Sequence, residues 1–243
     1  MPNRNKIAPL FSGWDETMIW SYLQGNMGYA IADDDGNPSA AQIVNADFCF
    51  FAGRPNPELT AKAAAPILVP QNEAWSKMIE TVWGDRAERV LRYAIKKEPH
   101  VFDTDRLTGF AETLPEPYSL RLFDREIYDF SLRERWSADF CSQFGDYNDF
   151  SKRGIGVAAL FEGKPVSGAS SYTVYRGGIE IEIDTKPEFR QKGLATACGA
   201  KLILECLKRG LYPSWDAHDL RSVALAEKLG YHMDHPYAVY VKK

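Results

Sequence analysis

Residues 179–196, IEIEIDTKPEFRQKGLAT, constrain this chain more than any other stretch. Ile179, Ile181 and Ile183 alternate with Glu180, Glu182 and Asp184, which predicts a strand with one apolar and one acidic face. Pro187 closes that strand, and Arg190-Gln191-Lys192-Gly193-Leu194-Ala195 opens a helix over 192–209. Lys201, Glu205 and Lys208 form a single polar stripe on this helix. Leu194, Cys198, Leu202 and Cys206, with Ala195, Gly199 and Ile203, fill most of the rest. Such a helix packs on a sheet, so the strand that feeds it belongs mid-sheet. Carboxylates crowded there are costly unless they are paired or face a cleft.

The surrounding segments fit one architecture. Residues 118–123 read as a strand, and 124–130 and 134–144 as helices. Three β-branched runs at 155–161, 165–175 and 178–185 follow, parted by the turn signals Glu162-Gly163-Lys164 and Gly177-Gly178, which predicts an antiparallel meander. Gly210 ends the long helix. A strand at 211–215, a helix at 220–229 stopped by Gly230, and a strand from 231 to about 241 complete the order β-α-α-β-β-β-α-β-α-β. The strand–helix–strand piece predicts a right-handed parallel crossover. The first 115 residues give a similar series: a helix at 15–23, strands near Tyr29, at 40–44 and at 48–52, then helix 58–64 and strand 67–69. Helix 71–83 follows, with Trp75, Met78, Ile79, Val82 and Trp83 on one face, and then strand 90–95. Both halves read meander, helix, strand, helix, strand. The expectation is therefore a degenerate copy at 1–115 and a second domain at 116–243, joined at the Pro-rich residues 114–117.

Composition narrows the function classes. Thirteen Phe, twelve Tyr and six Trp supply ample core material and exclude disorder. A net charge of −4 with interspersed signs lacks the basic stripe of a nucleic-acid binder. Cys49, Cys141, Cys198 and Cys206 include no Cys-x-x-Cys pair, so neither a metal site nor a disulfide scaffold is expected, and a reducing compartment is. No apolar run suits a signal peptide or a membrane span, which points to a cytoplasmic, soluble protein. Asp33-Asp34-Asp35-Gly36-Asn37 lacks the glutamate of a calcium loop and reads as a turn.

The start of the long helix is the candidate site. Its unpaired N–H groups and positive dipole end offer a seat for a pyrophosphate, and Gly193 and Ala195 let a phosphate come close. Arg190 and Lys192 add positive charge, although a lone basic turn is equally an ordinary solvated loop. The turn, Arg190-x-x-Gly193-x-Ala195, resembles the pyrophosphate-loop signature of the GNAT acyltransferase superfamily, Arg/Gln-x-x-Gly-x-Gly/Ala. The run Asp219-x-x-Ser222-x-x-Leu225-Ala226-Glu227-Lys228-Leu229-Gly230-Tyr231 is similar to that superfamily's second-helix signature. The likeness spans about 118–241 and implies an α+β (α/β) fold, a GNAT-like mixed central sheet flanked by helices. With DFCFFAG (47–53), SGASSYT (167–173) and YPSWDAHD (212–219), the chain also resembles the bacterial zwittermicin-A-resistance-type acetyltransferase group.

That resemblance implies acetyl-CoA as acyl donor and a small-molecule amine as acceptor. Backbone groups of Ile183, Asp184 and Thr185 would pair with the pantetheine arm. Arg190 and the amides of Gln191, Lys192, Gly193, Leu194, Ala195 and Thr196 would hold the pyrophosphate. Asp219 and Ser222 would join them, although Asp219 reads equally as an N-cap. Glu182 or Glu180 would act as general base, because neighbouring carboxylates raise one another's pKa towards neutrality. The superfamily's tyrosine acid is replaced by Ala226, which leaves His218, Ser222, Tyr231 and Tyr237 as candidates. His218, at a strand end, joins the catalytic set. In the first half, Arg54-Pro55-Asn56-Pro57 stands where a second loop would be, so one cofactor per chain is expected, with that half walling the acceptor side. The predicted activity is acetyl transfer by direct attack in a ternary complex. A non-catalytic acyl-CoA-binding or sensor module, or a purely structural domain, would be the alternative.

Overall fold

Two hairpin turns set the register of the sheet that carries the candidate site. Glu162 and Gly163 take φ of 49° and 77°, the paired positive values of a type I′ turn, and Gly177 takes 91°. In the computed structural model, which describes residues 3–243, these turns lie in one of two compact units. One unit holds the residues up to Arg92 together with Pro236–Lys243, and the other holds Tyr93–His235. Residues 114–117 thus fall inside the second unit.

The chain opens with helices α1 (Arg4–Ile7) and α2 (Thr17–Leu23) and a meander of β1 (Tyr29–Ala32), β2 (Ala40–Asn45) and β3 (Phe48–Gly53). Helix α3 (Pro57–Ala61) leads to β4 (Ile67–Pro70), parallel to β3, and α4 (Glu73–Trp83) follows. Trp75 and Ile79 on α4 are fully buried, and the Trp75 ring packs 5.2 Å from that of Phe51. This is the core-facing stripe that the sequence spacing predicts. The turn at 33–37 forms as expected, with Asp34 Oδ1 accepting from the N–H groups of Gly36 and Asn37. Strand β5 (Ala87–Ile95) leads out of the unit.

The second unit contains α5 (Thr104–Glu112), β6 (Ser119–Leu122), α6 (Arg125–Arg133) and α7 (Tyr147–Arg153). Strands β7 (Gly156–Phe161), β8 (Lys164–Tyr175) and β9 (Gly178–Thr185) form the meander. Helix α8 (Leu194–Lys208) then returns the chain to β10 (Tyr212–Ser214), parallel to β9. The elements β11 (Asp216–Ala217), α9 (Leu220–Lys228) and β12 (Met233–Lys242) close the chain, and the end of β12 pairs with β4 in the first unit. The fold is a mixed α/β arrangement of two mixed sheets with flanking helices. In both units a meander is followed by a helix and by a strand parallel to the meander's last.

Two helical expectations need correction. Residues 134–144 form only a 3₁₀ turn, Ala138–Phe140, in place of the expected helix. Their aromatic residues pack without one: Phe140 sits on Gly168, where a Cβ would meet its ring at 2.7 Å, and Ser137 Oγ donates to the Ser131 carbonyl. The helix comes later, as α7, started by the Asp146 carboxylate accepting from Asp149 N–H at 2.8 Å. Helix α5 was not anticipated, because Leu107 is its only buried residue and leaves no apolar period to read.

Helix α8 is buried as its small and apolar residues require. Cys198 and Cys206 are fully buried on it, and burial pushes both thiols up to about 12. Gly199 provides the closest approach: a Cβ there would meet Leu229 Cδ1 at 2.8 Å and Ile183 Cδ1 at 3.3 Å. Gly199→Val should therefore overpack the seam of α8, α9 and β9 and lower stability by about 1–3 kcal/mol. Urea unfolding followed by circular dichroism measures this, and an unchanged midpoint would rule out the tight seam.

Candidate active site

Strand β9 has neighbours on both edges only along its first half. Strand β10 pairs with it at Tyr212↔Gly178, Pro213↔Ile179 and Ser214↔Glu180 and then ends. On the other edge β8 continues to Thr185. The strand after β10, β11, pairs instead with β5 at Ala217↔Tyr93 and Asp216↔Ala94. Among the described residues, then, no strand flanks the far edge of β9 from Ile181 to Thr185.

A cavity of about 600 Å³ lies along this open end. One wall is the end of β9 (Ile183, Asp184, Thr185), the turn after it (Arg190, Gln191) and the start of α8 (Gly193 to Thr196). Asp219 and Ser222, at the start of α9, supply further lining. Every cofactor position predicted from sequence therefore lines this one cavity except Lys192. That side chain is exposed, with its ammonium 5.5 Å above the Phe189 ring.

The start of α8 is an open helix end. Its N-cap, Gly193, takes φ 80° and ψ −1°, offers no side-chain cap, and accepts from Ala197 N–H at 3.1 Å. Helix geometry leaves the N–H groups of Leu194, Ala195 and Thr196 without an intrahelical acceptor. A Cβ at Gly193 would meet nothing within 4 Å, so glycine answers to the left-handed backbone and not to packing. Gln191 shares that backbone region at φ 62°. Arg190 straps the turn: Nε donates to the Thr185 carbonyl at 3.0 Å and Nη2 to Asp184 Oδ1 at 3.4 Å.

On α9 the Asp219 side chain is indeed the N-cap, accepting from the N–H groups of Arg221 and Ser222 at 2.9 Å each. Its other oxygen takes a fork from Arg221, at 2.9 Å from Nε and 2.6 Å from Nη2. Burial acts to raise this carboxyl's pKa. The Arg221 guanidinium and the two backbone N–H groups outweigh burial and hold it below its ordinary value. Ser222 accepts from the Trp215 indole N–H at 3.1 Å.

The candidate catalytic residues separate. Glu180 is 4% exposed, opposite Ser214 on β10 and Thr173 on β8, at the last paired position before the strands part. Glu182 is half-buried opposite Ser170 and immediately precedes the first cavity-lining residue of β9. Around Glu180, the phenols of Tyr175, Tyr212 and Tyr231 all have raised pKa values, from burial first, with the Glu180 charge also contributing. His218 is exposed and is not part of the cavity lining. Of the acid candidates only Ser222 lines the cavity. The buried Tyr231 hydroxyl donates to the Pro213 carbonyl at 2.7 Å, and Tyr237 falls in the first unit. Ala226 is fully buried.

Sequence reasoning did not assign Phe189, Arg221, Leu225 and Lys228, which also line the cavity. The signal was available for three of them, since 221, 225 and 228 repeat at i, i+4 and i+7 beside Ser222. Among the described residues there is no cluster of three His, Cys, Asp or Glu side chains able to hold a metal. No described helix is long and apolar enough to cross a membrane.

Comparison with known proteins matches this architecture to a family. The family model for GNAT acetyltransferases covers residues 8–240, and the chain belongs to that family. It is 26% identical over 230 residues to an uncharacterized N-acetyltransferase of Bacillus subtilis, YdfB, spanning 93% of this chain and 82% of that protein. A GCN5-related N-acetyltransferase-like protein from Streptococcus suis superposes with a TM-score of 0.94 at 45% identity, over 99% of this chain and 98% of that one. A GCN5-related N-acetyltransferase from Kribbella flavida, 15% identical with a TM-score of 0.58 over 100% and 96% of the two chains, shares the fold.

The Asp219 cap predicts a pH-dependent contribution to stability. Asp219→Ala should cost about 1 kcal/mol near neutral pH, whereas Asp219→Asn, which keeps a capping oxygen, should cost less. A carboxyl held below its ordinary value stabilises fully above the unfolded value of about 3.9, and loses that contribution as pH falls through the folded value. The gap between wild type and Asp219→Asn should accordingly close below about pH 4. Thermal melts from pH 3 to 7 test this, and a constant gap would refute it.

Proposed function

We propose that this protein transfers an acetyl group from acetyl-CoA to a primary amine of a small molecule, the amine attacking directly while both are bound. The observation that carries the proposal is the open β9 edge adjoining the uncapped start of α8. A pantetheine arm, extended and bearing amides, has the hydrogen-bonding character of a strand and suits an unfilled edge. A pyrophosphate suits a helix start where Gly193 puts no side chain in the way. Acetyl-CoA supplies the acyl group as an activated thioester. The chain's own residues orient it and manage the acceptor's proton.

Glu182 is the preferred base under this proposal, because it is only half-buried and borders the cavity-lining end of β9. An ammonium has no lone pair to attack with until a base takes its proton. Glu180, deeper and among three tyrosines, supplies negative charge that favours a cationic acceptor. The narrower likeness to the zwittermicin-A-resistance group supports an aminated small molecule as acceptor. Four free, buried cysteines support a reducing, cytoplasmic setting.

The first unit's own geometry supports the reading of one cosubstrate per chain. There β4 stays paired with β3 through Phe51↔Pro70, and the Asn56 side chain caps α3 by accepting from Leu59 N–H. The start of α3 is thus capped, and β4 is paired with β3 along its whole length. We read residues 1–115 as a degenerate copy on this ground.

Two measurements test the proposal. Calorimetric titration with acetyl-CoA should give one site per chain, and Gly193→Asp should abolish it by placing a carboxylate on a strained left-handed backbone where phosphate belongs. Two sites, or none, would refute the assignment. With an active amine found by screening for thiol release, Glu180→Gln/Glu182→Gln should lose about a hundredfold or more in turnover while still binding acetyl-CoA. Binding without transfer to any amine would favour the non-catalytic acyl-CoA-binding module, in keeping with the buried Ala226.

A further inference from the structure

A second cavity, of about 310 Å³, lies between the start of α5 and the end of α9, both in the second unit. It shares no lining residue with the cavity along β9. Phe102 joins its two walls: the ring meets that of Tyr231 edge-on at 4.8 Å, and the Tyr231 hydroxyl is tied to the Pro213 carbonyl. Val101 and Leu229 supply apolar lining, whereas Asp103, Arg106 and Glu227 supply charge of both signs. One oxygen of Asp103 caps α5 by accepting from the N–H groups of Asp105 and Arg106, which leaves the other without a partner among the described residues. The Arg106 guanidinium lies 5.6 Å from the centre of the Phe110 ring and meets no described carboxylate. Glu227 has no described ion-pair partner either. His232, at the same cavity, is committed, with Nδ1 2.7 Å from Glu98 Oε2. Opposite charges thus line one cavity without neutralising each other, and each keeps hydrogen-bonding capacity for a ligand.

We propose that this cavity is a binding site for a free α-amino acid with an aliphatic side chain. The carboxylate takes the planar fork of Arg106. The ammonium donates to Glu227 and to the uncommitted oxygen of Asp103. The side chain lies against Val101 and Leu229. A simple anion or a simple amine would satisfy one sign of charge here and face the other unpaired, whereas a zwitterion satisfies both. The volume falls at the lower end of the range of about 300–1,000 Å³ for small-molecule sites, which suits a ligand of this size. The inference is independent of the acetyl-CoA reading, because no residue of the β9 cavity takes part in it.

The test is calorimetric titration of the full chain with L-leucine, which should bind at one site with a dissociation constant of about 1 mM or tighter. Two analogues separate the charges: 3-methylbutylamine lacks the carboxylate and 4-methylpentanoate lacks the ammonium. Each should bind at least about tenfold more weakly than leucine. Arg106→Gln should bring leucine down to the affinity of the amine. Glu227→Gln should weaken leucine and the amine but leave 4-methylpentanoate unchanged. Both positions are exposed, so neither substitution threatens the fold. Leucine binding should also persist in Glu180→Gln/Glu182→Gln. Its loss there would place the amino acid at the acidic face of β9 and overturn the inference. No leucine binding, or equal binding of all three compounds, would overturn it as well, and either result would leave the acetyl-CoA reading standing.

Discussion

The site depends on the parting of β9 from β10 after Ser214. A strand that loses a neighbour exposes backbone N–H and C=O groups, and these need another partner or water. Such an opening survives only if the exposed strand end is held from elsewhere. Here β8 keeps its pairing to Thr185, Gly199 draws α8 down onto Ile183, and Arg190 ties the turn back to the Thr185 carbonyl. The paired half is pinned as firmly. Tyr175 shares a 2.8 Å hydrogen bond with Ser214, and its ring occupies the space that any side chain at Gly178 would fill. The opening therefore begins at a fixed register, and every residue beyond it inherits a defined place.

The first unit shows the same series of elements without that opening. After β3 the chain takes Arg54-Pro55-Asn56-Pro57, where Pro57 lacks an N–H and Asn56 spends its side chain on Leu59 N–H. Gly53, at φ 83°, is crowded by the Ser39 carbonyl, so it serves close packing and leaves no open space. Gly193 has the same backbone sign and empty space around it. One glycine closes a structure and the other holds one open. What separates them is the strand beside each, not the residue type.

That contrast explains what the sequence could disclose. The acidic face of β9, the buried helix α8 and the Asp219 cap were legible because each rests on a local period or a local hydrogen bond. The cavity's first wall was legible because it is one contiguous stretch, 183–196. The second wall was only partly so. Asp219 and Ser222 were given a role as motif positions, whereas Leu225 and Lys228, in the same signature, had none until helix periodicity set them on the same face. Helix α5 and the irregular stretch 134–144 were misread for complementary reasons: α5 buries too little to show a period, and 134–144 has aromatic residues that satisfy their packing against Gly168 and one another without a helix. The return of β12 to β4 rests on distant pairing, which no local pattern encodes.

The arrangement also bears on why two glutamates stand on one strand. Burying a carboxylate as deeply as Glu180 is costly, and a core position would ordinarily be apolar. Ser214 and Thr173 flank it in register, and its charge reaches three tyrosines whose hydroxyls bond to Ser214, the Lys96 carbonyl and the Pro213 carbonyl. Glu182, one pleat further out, is only partly buried and stands where β10 no longer covers the strand. Two like residues thus differ in burial and in how near they stand to the open end of the strand. The strand's parting makes that division possible, because it changes the surroundings of β9 within two residues.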